Sequence, residues 1–155
     1  IDAPSTGFTY GRNNATWVPI ANNSMQTVKV TLNSTDIQNL STAYFDLLPA
    51  QGVGTMINVV KVWIKWNFGT TPYVGGGTVT IYYGNGVGSL PQVTNPLANI
   101  FNSGSLIIRP TMNTTAYYCA PNTIENVPIT IISTAAQTGG DGTMDVYLTY
   151  DIITL

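Results

Sequence analysis

From Thr143 to Ile153 the side chains alternate without interruption, Met144, Val146, Leu148, Tyr150 and Ile152 against Asp145, Tyr147, Thr149 and Asp151. Successive side chains of a strand point to opposite faces, so a strict period of two describes a strand with one face on a core and the other outside. A helix, with its period of about 3.6, would scatter the same residues around its axis. The pattern recurs at Thr27–Leu32, where Val28, Val30 and Leu32 face inward, and over Met56–Phe68, the longest regular segment. There Val60, Val62, Ile64, Trp66 and Phe68 are expected on the core face, and Lys61, Trp63, Lys65 and Asn67 on the outer face.

Shorter segments at Thr42–Leu48, Thr78–Tyr83, Ser105–Arg109, Thr115–Cys119 and Ile129–Ser133 read as further strands. Turn-rich stretches separate them, among them Pro49–Gly54, Thr70–Gly77 and Gly84–Gly88. Asn33–Leu40 is polar and reads as a turn, and Leu97–Phe101 as the one helical turn. About eight or nine strands, spaced about ten residues apart, predict an all-β chain. The expected architecture is a single-domain antiparallel two-sheet sandwich, jelly-roll-like. Residues 1–15 hold Pro4, Gly7 and Gly11 without periodicity and are expected to form an N-terminal arm on a β-sandwich domain of residues 16–155. A chain opening at Ile1 is expected to be a processed product, a trimmed form or one segment of a longer polypeptide.

Only 8% of the 155 residues are charged, so 23 Thr, 15 Asn and 8 Ser must supply the polar surface, while 44% hydrophobic residues suffice for a packed core. Histidine is absent, which removes the commonest general base and transition-metal ligand. Cys119 stands alone, so neither an intrachain disulfide nor a cysteine-based zinc site can form. It reads as a small buried strand residue. Asp145 and Asp151, six positions apart on one strand, would lie about 20 Å from each other, too far for a shared glycosidic bond. Both read as solvated strand positions, and Asp141 as a turn acid rather than one of the six or more oxygens a calcium ion requires. No catalytic residue, cofactor or metal site is expected, and the chain reads as a non-enzyme.

The cations are Arg12, Lys29, Lys61, Lys65 and Arg109 against seven acids, a net charge of −2. Five cations are too few to track a run of phosphates, so direct nucleic-acid binding is not expected. No apolar run approaches the roughly 20 residues that cross a bilayer, and membrane insertion is not expected. A nearly neutral surface lets many copies pack closely, which points to a homo-oligomer.

Aromatic residues expected outside the core are the candidate interface: Phe8 and Tyr10 in the arm, Trp63 between two lysines, Tyr73 in a loop and Tyr147 on the outward side of the last strand. The same residue types admit a second use. A concave patch of Tyr73, Tyr82 or Tyr147 with Asn and Asp would stack on sugars and bond their hydroxyls, the mark of a host-surface glycan receptor.

Several motifs belong together: Ser34-Thr35-Asp36-Ile37 before a strand, Pro-Ala-x-Gly-x-Gly at Pro49 to Gly54, and Phe68-Gly69-Thr70-Thr71-Pro72-Tyr73-Val74-Gly75-Gly76-Gly77. To these are added Tyr82-Tyr83-Gly84, and Thr138-Gly139-Gly140-Asp141-Gly142-Thr143 before a terminal Val-x-Leu-x-Tyr strand. This pattern resembles a β-rich domain of tailed-bacteriophage virion proteins, found in head-decoration, head-fibre and tail-associated proteins. The resemblance implies a structural module on the outer surface of a virion, oligomeric and favouring a trimer, with major capsid or other virion proteins as partners. It carries no catalytic residues. Thr55 stands where similar domains often have a basic residue. The alternative is a carbohydrate-recognising domain of a phage fibre or a surface adhesin.

Overall fold

The computed structural model describes residues 10–13, 16–19, 25–84, 91–102, 104–112 and 123–155. Among them the elements run β1 (Tyr10–Asn13), β2 (Thr16–Pro19), β3 (Gln26–Leu32), α1 (Ser34–Asn39), β4 (Phe45–Leu48), β5 (Thr55–Asn67), β6 (Tyr73–Gly75), β7 (Thr78–Tyr83) and β8 (Leu97–Ala98). A 3-10 turn (Ile100–Asn102), β9 (Leu106–Ile108), β10 (Ile129–Ser133), β11 (Gln137–Gly139) and β12 (Thr143–Thr154) follow.

Eight strands make two four-stranded antiparallel sheets, ordered β3-β12-β5-β9 and β4-β10-β7-β8. Within these eight the first strand pairs with the last, β4 with β10, β5 with β9, and β7 with β8. A long hairpin folded over on itself produces this nesting, and it is the winding of a jelly roll. The expected all-β sandwich is thus the observed fold. Strands β6 and β11 pair separately, where the β5–β7 and β10–β12 connections run side by side.

The inward faces of both sheets form one core. Leu32, Ile57, Val59, Val62, Ile64, Trp66, Met144, Val146, Leu148 and Tyr150 meet Leu47, Leu48, Val79, Ile81, Ile129 and Ile131. At one end Trp66, Tyr73 and Phe101 pack as a triad with ring centroids 5.4–5.9 Å apart. Tilted and edge-on aromatic contacts of this kind add to the area they bury.

The long strand departs from the simple alternation. Lys61 faces Thr149 and Val59 faces Tyr150, so Val60 is an extra residue, a β-bulge. The bulge reverses the parity below it. Ile57 and Val59 join Val62, Ile64 and Trp66 in the core, while Val60 is 46% exposed. Phe68, also expected inward, lies one residue beyond the strand and is 36% exposed.

Two further expectations are corrected. Asn33–Leu40 holds a short helix, because the Asn33 side chain accepts from the amides of Thr35 and Asp36 while the Asp36 carboxylate accepts from the Asn33 amide. This capping box nucleates a turn that buries Ile37 and Leu40. Leu97–Phe101 is not a single helical turn: Leu97 and Ala98 pair with β7, Asn99 takes a positive φ of 55°, and only then does the 3-10 turn bury Ile100 and Phe101. The segment expected to be an irregular arm contains β1, which forms an antiparallel ladder with β2. The strand expected at Thr115–Cys119 lies outside the described residues.

Candidate functional site

On the outer face of the β3-β12-β5-β9 sheet, outward residues of neighbouring strands line up in rows, three of which lie at its middle. Lys29, Tyr147 and Trp63 are direct partners across β3, β12 and β5. Thr31, Asp145, Lys65 and Ile107 form the row above, and Thr27, Thr149 and Lys61 the row below. Arg109 follows β9, and its Cζ lies 5.9 Å from the Trp63 ring centroid. Four of the five Lys and Arg residues therefore gather on these rows against one carboxylate, Asp145. The rest of the chain has one cation, Arg12, and six acids.

The aromatic rings organise the cations. Lys61 Nζ lies 5.1 Å from the Trp63 centroid and Lys29 Nζ 5.9 Å from that of Tyr147. The negative ring faces attract ammonium and guanidinium groups at these separations. Around them runs a groove of about 610 Å³, lined among the described residues by Thr27, Lys61, Trp63, Ile64, Lys65, Ile107, Tyr147 and Thr149. Ile107 is 69% exposed at its rim.

Asp145 was expected to be solvated, yet it is only 6% exposed. Its Oδ1 lies 3.1 Å from Lys29 Nζ and accepts the Thr31 hydroxyl at 2.6 Å, while the Asn67 amide reaches Oδ2. Burial pushes its pKa upward, but the bonds from Thr31, Lys29 and Asn67 and the lysine charge outweigh that and hold it below the usual range. Lys29 is thereby drawn to a carboxylate. Asp151, also expected to be solvated, is half-buried, and its Oδ1 is enclosed with no partner among the described residues.

Asp141 is a turn acid, as its glycine-rich setting implied. It accepts from the Thr70 hydroxyl and from the amides of Thr70 and Thr71, and these bonds lower its pKa. Glycine is required on either side. A side chain at Gly140 would strike the Tyr73 ring, and one at Gly142 would strike the Trp66 indole.

Of the expected interface residues, the structure brings Trp63 and Tyr147 together and removes Tyr73. Tyr73 is 3% exposed, and its hydroxyl donates to the Gly142 carbonyl at 2.9 Å. Burial, with the nearby Asp141 charge, pushes its pKa up to about 12. Tyr82 belongs to the other sheet, so the expected patch of tyrosines with Asn and Asp does not assemble there. Phe8 lies outside the described residues, and Tyr10 lies on β1. Sequence reasoning missed Lys29, Arg109 and Ile107 as members of the site. Alternation already turned Lys29 outward, but which strands flank Trp63 is a long-range fact. No protein-family model matches the chain, and no curated protein matches it.

Proposed function

We propose that this chain is a structural protein of a tailed-bacteriophage virion, a capsid-decoration or head-fibre component on the outer surface of the particle. It joins major capsid or other virion proteins as a homo-oligomer, with a trimer favoured, and performs no chemistry. The observation that carries this reading is the jelly-roll winding, an architecture used by viral capsid domains. The charge-poor surface, with its many neutral hydroxyls and amides, supports it, since such surfaces pack in many copies with little self-repulsion. A subunit that binds only the assembled lattice stabilises it by mass action, and multiplicity amplifies each modest contact.

The test is electron cryomicroscopy of washed particles from the source of the chain, with sedimentation of the purified protein. The expected result is jelly-roll density repeating on an icosahedral lattice or along a fibre, and a closed oligomer in solution. Absence of the chain from washed particles overturns the virion role. A stable monomer at micromolar concentration overturns the oligomer.

A second reading, a carbohydrate-recognising domain of a fibre or adhesin, is favoured by one observation, the pairing of Trp63 with Tyr147 in an outward groove.

A further inference from the structure

We propose that the groove over Trp63 and Tyr147 binds an anionic polysaccharide, with sugar rings laid on the two aromatic rings and acid groups met by Lys61, Lys65 and Arg109. This goes beyond the assembly role and holds whether or not the chain builds particles. It sharpens the carbohydrate reading by naming the sugar class and the residues.

Trp63 and Tyr147 are direct partners on adjacent strands, so their side chains rise from one face, about 5 Å apart at Cβ, as a two-ring platform. Rigid rings with few rotatable bonds present such a platform at little entropic cost. The C–H faces of a pyranose are weakly positive and apolar, which suits a negative ring face, and a sugar laid there displaces the Lys61, Arg109 and Lys29 cations from the rings toward its acid groups. Thr27 and Thr149 sit beside the platform with their hydroxyls 3.1 Å apart, and each can turn to a sugar hydroxyl.

Charge selects the ligand within the sugars. Asp145 is already engaged by Lys29, Thr31 and Asn67. Lys61 and Lys65 line the groove and Arg109 lies over the Trp63 ring, with no second carboxylate in the three rows; Asp151 stands one outward position beyond Thr149. Lys61 and Lys65, four residues apart on one strand, are separated by about 13 Å along it, with Trp63 midway. A chain lying across Trp63 meets a cation on either side.

Three alternatives fit less well. A neutral glycan leaves the cations unused. A nucleic acid carries a charge on every phosphate, and beyond these three rows it meets a chain with one cation and six acids. A folded acidic protein must bring both an apolar ridge and spaced carboxylates to one open groove of about 610 Å³, whereas an acidic polysaccharide supplies ring and acid together in each repeat.

The experiment titrates the full chain with polygalacturonate, and with dextran, poly-glutamate and oligothymidylate as comparison polymers, by calorimetry at two salt concentrations. Polygalacturonate is expected to bind, weakening as salt rises, while dextran does not. Trp63→Ala should weaken binding about tenfold, the scale of one lost aromatic stack. Lys65→Gln with Arg109→Gln should weaken it at least as much and flatten the salt dependence. Lys65 and Arg109 are exposed and Trp63 is half-buried, and thermal melting checks that the fold is kept. If Trp63→Ala unfolds, the charge variants decide alone. Binding of dextran as tightly as polygalacturonate, binding confined to poly-glutamate or oligothymidylate, no binding, or binding indifferent to the charge variants overturns the proposal. Incorporation into particles is scored separately, so failure of the virion role leaves this result readable.

Discussion

Lys29 Nζ lies 3.1 Å from Asp145 Oδ1 across the β3–β12 ladder, a salt bridge in which the acid is buried and the lysine half-exposed. Such a pair is not interchangeable between its members. Removing the acid takes the acceptor from the Thr31 hydroxyl and leaves the Asn67 amide only Thr143 Oγ1, whereas the lysine can turn to water. Asp145→Ala is expected to destabilise the fold by about 1–3 kcal/mol. Urea titration checks it, and an unchanged midpoint would mean that the bridge contributes nothing.

The acid side of the stability curve follows from the same carboxylate and from Asp141. Both have native pKa values below the usual one. Their contribution is therefore complete above the unfolded pKa of about 4 and is lost as pH falls through the depressed native value. Melting temperature should hold steady from neutrality to about pH 4 and then drop. Asp141→Asn and Asp145→Asn together should shallow that drop.

The alkaline side belongs in part to Tyr73, whose pKa is raised to about 12. The sign is opposite: the neutral phenol is favoured in the fold, so its contribution is present below the unfolded value of about 10 and is lost as pH rises toward 12. Tyr73→Phe should remove this alkaline loss, at the expense of the bond to the Gly142 carbonyl. Melting curves between pH 9 and 12 compare the two.

The bulge makes a sharp contrast within one strand. Ile64→Ala should cost about 2–5 kcal/mol and Trp66→Ala about 3–5 kcal/mol, a large share of a typical stability of about 5–15 kcal/mol. Val60→Ala, one bulge away on the exposed side, should stay within about 0.5 kcal/mol. A Val60→Ala loss equal to that of Ile64→Ala would place Val60 in the core.

Neighbouring glycines should also separate. Gly139 has a φ of 64° with open space around its Cβ position, so Gly139→Ala carries the backbone cost alone, about 1–2 kcal/mol. Gly140, at φ 75°, would in addition drive its methyl into Tyr73, and Gly140→Ala should be the more damaging. Denaturant midpoints of the two variants settle the order.

Much of this architecture can be read from local pattern. The segment Thr143–Ile153 is legible almost to the residue, because a period of two needs no partner to declare itself, and Ile129–Ser133 is legible as a short β-branched run. Outward placement of Trp63 and Tyr147 followed from the same rule. The helix after Asn33 was also written locally, in the Asn33–Asp36 capping box. Its six residues are too few to establish a helical period.

Tertiary structure decided what local pattern cannot carry. The bulge at Val60 exists because β12 pairs on both sides of it, and one extra residue exchanges inside and outside for everything below. Tyr73 follows turn residues and reads as surface, but the Trp66 and Phe101 rings and the Gly142 carbonyl hold it inside. Lys29, Lys61, Lys65 and Arg109 are scattered over 81 positions of the chain and meet because the jelly roll sets β3, β12, β5 and β9 edge to edge. The amino-acid sequence by itself determined which residues share a face along an unbroken run of strand, since alternation is a property of the backbone. Which strands became neighbours, and so which charges and rings share a face, was decided by the burial of one common core, a long-range energy that no single segment contains.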